Sequence, residues 1–87
     1  MKITLTKTQY QAVNALRGLP NDAHMLVMCS RSTEKGGVLD GDRNAFDALV
    51  SHISEDLAHG MHSVSRARAL AAVAVKIDPS CADWLGM

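Results

Sequence analysis

His52, Asp56 and His59 recur at i, i+4 and i+7, and His62 follows three residues later. Imidazoles and a carboxylate on one helix flank are donor types that hold zinc. That flank is offset from the apolar stripe of the same segment, and no His-Glu-x-x-His motif accompanies it. A solvated polar flank is therefore the expected reading, with a metal-binding protein as the second alternative. Asp40, Asp42 and Asn44 match the first three oxygen positions of a calcium loop. Ala45 then stands where the loop needs glycine, and Ser51 where it needs a bidentate glutamate. Those carboxylates read as a polar turn and a helix cap.

Nucleophilic chemistry finds no constellation. Cys29 lies within an apolar run, where inert packing is expected, and Cys81 sits beside Asp83 with no adjacent cation to form a thiolate. No serine occupies a Gly-x-Ser-x-Gly elbow, and Glu34-Lys-Gly-Gly37 lacks the spacing of a phosphate-cradling loop. His24 has no evident partner in the sequence. No catalytic, cofactor-binding or metal-ligating residue is nominated, no cofactor is implied, and a non-enzymatic protein is expected.

Arg66 and Arg68, in Ser63-Val-Ser-Arg-Ala-Arg68, join Arg31 and Arg43 as candidates for a basic patch. A helix starting near Ser65 would present them where its dipole favours phosphate. This is the first alternative, a nucleic-acid-binding regulator. Nine basic and nine acidic residues give zero net charge, which removes the long-range attraction to phosphate. Arg43 has Asp47 at i+4. Tyr10, Phe46 and Trp84 are the whole aromatic complement, too few for a base-stacking platform.

The elements that position these groups follow from pattern. Lys2–Leu5 alternates as a short strand. Thr6-Lys-Thr-Gln9 has capping-box spacing and opens a helix carrying Tyr10, Val13, Leu16 and Leu19, closed by Pro20. His24–Ser30 is an apolar run of strand length, and Met25–Cys29 is apolar on both faces, so both would need cover. Arg31–Gly37 reads as a hairpin loop, and Val38-Leu39 as a return strand. Asp42 then caps a helix whose stripe is Phe46, Leu49, Val50, Ile53 and Leu57, ended by Gly60. A last helix begins at Ser63 or Ser65 and runs to Ile77, with Ala69–Val75 apolar nearly all round. Trp84 and Leu85 are expected to close over the core.

The order β-α-β-β-α-α predicts an α+β fold in a single globular domain, residues 1–87. A two- or three-stranded antiparallel sheet would pack on about three helices. Phe46, Leu49, Ile53, Leu57, Leu70 and Val27 are the expected core. Apolar residues are 47% of the chain, so a core is affordable without many aromatics. No apolar run spans a membrane, and no signal-peptide pattern opens the chain, so free thiols in a reducing cytoplasm are expected. The expected function is macromolecular binding by an accessory, regulatory or inhibitor protein of bacterial or phage kind. Its partner would be another protein or itself, as a homodimer covering the open sheet face, the two-faced strand and the apolar helix; no membrane partner is expected.

Overall fold

A computed structural model describes residues 1–59 and 63–80. Along it run β1 (Lys2–Thr6), α1 (Lys7–Asn14), α2 (Asn21–Met28), β2 (Arg31–Thr33), β3 (Gly36–Asp40), α3 (Arg43–His59) and α4 (Val64–Ile77). The strands form one antiparallel sheet in the order β1-β3-β2. The class is α+β, as the sequence predicts, with one more helix than expected.

Three of the elements begin where local chemistry dictates. The Thr6 hydroxyl accepts from the Gln9 N–H at 3.3 Å, while Gln9 Oε1 accepts from the Thr6 N–H at 3.0 Å, completing the capping box. Asp42 Oδ1 accepts from the Ala45 N–H at 2.9 Å at the head of α3. Ser63, not Ser65, caps α4, its Oγ accepting from the Arg66 N–H at 3.2 Å. Gly60, the expected stop of α3, and Trp84 and Leu85, the expected lid, lie outside the described residues.

The segment between β1 and β3 departs from expectation. α1 stops at Asn14 with Ala15 at its C-cap, and Gly18, three residues further on, adopts a φ of +69°, so Leu19 does not join the helical face. Pro20 does not end α1; it stands at the N-cap of α2, where its missing N–H costs no helical hydrogen bond. Asp22 follows in the first turn, favourably placed against the helix dipole. The run read as the strand His24–Ser30 is therefore the body of a helix. Ala23 and Leu26 are buried, Val27 is half-buried, and Met25 and Met28 face outward. Apolar residues on both sides had suggested a strand covered on both faces; in α2 one side is simply exposed. The strand that pairs in its place is β2, drawn from the polar segment read as loop.

The helices lie on one face of the sheet. α1 packs on β1, β3 and α4, α4 on α3, and α3 on α2, which returns to β3. Ile3, Leu5 and Leu39 point inward, in register with one another and with Gly37. A side chain at Gly37 would run into the Tyr10 ring, so the bare backbone seats that ring on the central strand. The Tyr10 hydroxyl lies 2.7 Å from Ser30 Oγ, which itself donates to the Val27 carbonyl, so Tyr10 is the donor. One side chain thus ties α1 to β3 and to the end of α2. Phe46, Leu49, Ile53, Leu70 and Val73 are fully buried. Leu57 and Val27, also expected in the core, are half-buried at its margin.

The opposite sheet face carries Lys2, Thr4, Thr6, Arg31, Thr33 and Asp40, all exposed, around half-buried Val38. Such a face is satisfied by water and needs no second subunit to cover it. The free edge of β1 is closed by Lys76, whose Nζ donates to the Thr4 carbonyl at 3.1 Å and to Gln9 Oε1 at 2.8 Å. The apolar helix α4 uses Ala69, Leu70, Val73, Ala74 and Ile77 inside the chain, between α1, α3 and β1.

Candidate interaction surface

Of the residues singled out for chemistry, Cys29, Asp40 and Asp42 line one shallow groove, and Cys29, Arg31 and Asp40 line another. Asp42 is committed to its capping hydrogen bond, and Asp40 sits opposite Lys2 in the sheet register. Asn44 is exposed in the first turn of α3, so the calcium-like tripeptide serves as strand end and helix start. His52 is half-buried, and its Nε2 atom is enclosed with no hydrogen-bond partner among the described residues. Asp56, one turn on, is half-buried and engaged in an interaction of its own. The His59 side chain and His62 lie outside what the structure describes. Among the described residues no group of three His, Cys, Asp or Glu side chains is placed to hold a metal ion.

The arginines are dispersed. Arg66 and Arg68 are exposed in the first half of α4. Arg43 begins α3 and pairs with Asp47 at 3.4 Å, both side chains well exposed. Its charge also reaches Asp78 at the far end of α4. A 14-residue helix spans about 21 Å, so Arg43 and Arg66 stand at opposite ends of the α3–α4 pair. Arg31 lies apart on β2.

What the structure does assemble is a surface centred on α2. Met25 is 59% exposed and Met28 69%, large values for apolar side chains in a folded chain. At 100° per residue Met25, Met28 and Cys29 fall within one arc of α2, opposite buried Ala23 and Leu26. Cys29, read from the sequence as inert packing, is an exposed free thiol at the C-cap of α2. His24 is exposed on the same short helix. Cys81 lies outside the described residues.

Shallow grooves flank this arc. One of about 230 Å³ runs between α2 and the head of α3, lined by Asp22, Met25, Leu26, Cys29 and Asp42. Another of about 350 Å³ lies on the other side, lined by Leu16, Leu19, Val27 and Met28 with Tyr10 and Ser30 at its floor. The early end of α1 matters here. Leu16 and Leu19, both beyond the end of α1, help wall the second groove and remain half-buried. Methionine suits such a surface, because its unbranched, polarizable side chain adapts to the shape it meets. The apolar surplus of Met25–Cys29, legible in the sequence, lies on a helix and its C-cap rather than on the expected strand.

No protein-family model matches the chain, and neither a curated protein nor a solved structure matches it. No helix among the described residues is long and apolar enough to cross a membrane.

Proposed function

We propose that this chain is a small, non-catalytic cytoplasmic protein that acts by binding another macromolecule, and that it works as a homodimer. The observation that carries the proposal is the pair Met25 and Met28, held outward on α2 while the core is completed by other residues. Exposed apolar side chains gathered on one element mark partner sites rather than folding needs. Zero net charge adds little repulsion between copies. The grooves that Cys29 shares with carboxylates and with exposed Lys2 and Arg31 have no imidazole among their described lining residues to act as its base, which favours a binding role over a catalytic one.

Native mass by light scattering after size exclusion, measured over a range of concentrations, tests this reading. A dimer whose fraction rises with concentration supports it; a monomer throughout removes the homodimer.

The nucleic-acid reading keeps one favourable observation, the exposure of Arg66 and Arg68 beside the capped start of α4. Reversing both charges and measuring retention on DNA and RNA decides it. Loss of a retention that the unaltered chain displays would revive it, and unchanged retention would end it.

A further inference from the structure

The two margins of the sheet differ. At one, the Thr4 carbonyl of β1 accepts from Lys76. At the other, β2 has β3 as its one substantial packing neighbour, and all three of its residues are exposed. Register shows where its free groups point. The Met1 amino group donates to the Gly41 carbonyl at 2.9 Å, and the Gly41 N–H donates to the Met1 carbonyl at 3.0 Å. Hydrogen-bonded pairs recur at every second residue of an antiparallel ladder. Leu39 and Gly37 therefore address β1, while Val38 and Gly36 address β2. Their partners on β2 are Arg31 and Thr33, whose backbone groups point to β3. Ser32, between them, turns both its N–H and its carbonyl away from the sheet, and neither has a partner among the described residues.

A donor and an acceptor side by side on an open strand edge are what an added strand pairs with. The side chains of such a strand alternate between faces, and a groove lies on each face of β2. On the helix side a groove of about 510 Å³ runs between α1 and β2, lined by Lys7, Tyr10, Gln11, Asn14 and Ser32. On the open face a groove of about 520 Å³ is lined by Lys2, Arg31, Thr33, Val38 and Asp40. Lys35 stands in the turn after β2, next to Glu34. Cations thus outnumber acids along this margin, in a chain of zero net charge. No ion pair among the described residues engages Lys2, Lys7, Arg31 or Lys35.

We infer that the outer edge of β2 captures an extended acidic segment of a partner protein, which joins the sheet as a fourth strand. The segment's backbone pairs with Ser32, its alternate side chains enter the two grooves, and its carboxylates meet Lys7, Arg31 and Lys35. A second copy fits this margin poorly, because it would bring the same cations against each other. A phosphate backbone fits poorly as well, because it offers acceptors alone and leaves the Ser32 carbonyl unpaired. The contact is separate from the methionine surface of α2, and neither needs the other. Two backbone hydrogen bonds at one residue give modest affinity, so the assay is one that reads weak binding.

The test is an NMR titration of the full chain with a synthetic peptide of about nine residues that alternates glutamate and valine, taken to millimolar concentration. The Ser32 amide should shift, and its hydrogen exchange should slow, as the peptide saturates. The same peptide with lysine for glutamate, or with its backbone N-methylated, should do neither. Ser32→Pro removes the outward N–H without removing a bond between β2 and β3, and should weaken binding about tenfold, the equivalent of one backbone hydrogen bond. Arg31→Glu should weaken it severalfold. Circular dichroism verifies the fold of each variant, and the N-methylated peptide decides the same point should Ser32→Pro fail to fold. A glutamate peptide that leaves the Ser32 amide unmoved, or a lysine peptide that binds as well, would overturn the inference. Oligodeoxythymidylate that moves the same amides more tightly than the peptide would overturn it in favour of a nucleic acid. Protection of Ser32 that grows with protein concentration in the absence of peptide would overturn it in favour of a second copy.

Discussion

Leu49→Ala tests whether the α3 stripe is the core of this fold. Leu49 has no exposed surface, and neither do Phe46 and Ile53, its neighbours one turn away on the same stripe. Truncating a fully buried leucine loses the transfer energy of the removed atoms and leaves a cavity, about 2–5 kcal/mol together. An 87-residue domain has roughly 4–13 kcal/mol of stability in total, so the loss is a large fraction of it. With a urea m-value of about 1–1.5 kcal/mol per molar, a 3 kcal/mol loss moves the midpoint down by about 2–3 M. The control is Leu57→Ala, on the same stripe but half-buried, where surrounding water and mobile side chains fill part of the gap. Its shift should be less than half as large. The assay is equilibrium urea unfolding followed by circular dichroism, with m held constant across variants. A Leu49→Ala shift below about 0.5 M, or one that Leu57→Ala equals, would refute the assignment of the stripe to the core.

Three further outcomes follow from single groups. Gly36 has a φ of +148°, and a Cβ there would collide with the Leu5 carbonyl and the Thr6 backbone, whereas Gly18, at φ +69°, faces open space. Gly36→Ala should therefore cost clearly more than Gly18→Ala, whose penalty is about 1 kcal/mol of left-handed strain; comparable urea midpoints would contradict the close strand approach. His52→Leu removes an enclosed nitrogen that has no partner among the described residues, and should raise thermal stability by about 1 kcal/mol; a loss would mean that the ring has a partner in solution. Asp78 accepts from the Ser80 hydroxyl at 2.7 Å and the Ser80 N–H at 3.1 Å. These bonds hold its carboxyl below the usual carboxylate value against the opposing effect of desolvation, with the smallest contribution coming from the Arg43 charge. A lowered folded pKa contributes stability that is present above the unfolded value and lost as pH falls through the folded one. The stability difference between the native chain and Asp78→Asn should accordingly shrink below about pH 4; a difference that persists unchanged at lower pH would rule this out.

Elements with strong local signals were legible before any tertiary structure. The capping box at Thr6 and Gln9 satisfies N–H groups within three residues, and the caps at Asp42 and Ser63 act over the same distance. The long stripe from Phe46 to Leu57 repeats over enough turns for its period to be unambiguous. These local features, with alternation in Lys2–Leu5, were sufficient for an α+β fold and for most of its core.

The segment from Leu16 to Thr33 was decided by tertiary contact. A five-residue apolar run fits a strand or a short helix equally well by periodicity. Docking of Ala23 and Leu26 against α3 selects the helix, and that choice turns Met25, Met28 and Cys29 outward. β2 had no apolar alternation to reveal it, because all three of its residues are exposed at the sheet margin. The surface proposed for partner binding exists only as a consequence of this packing. Sequence determined which residues were apolar, since transfer from water is a property of each side chain alone. Which of them water would still touch depended on the neighbours that folding brought to each face of α2.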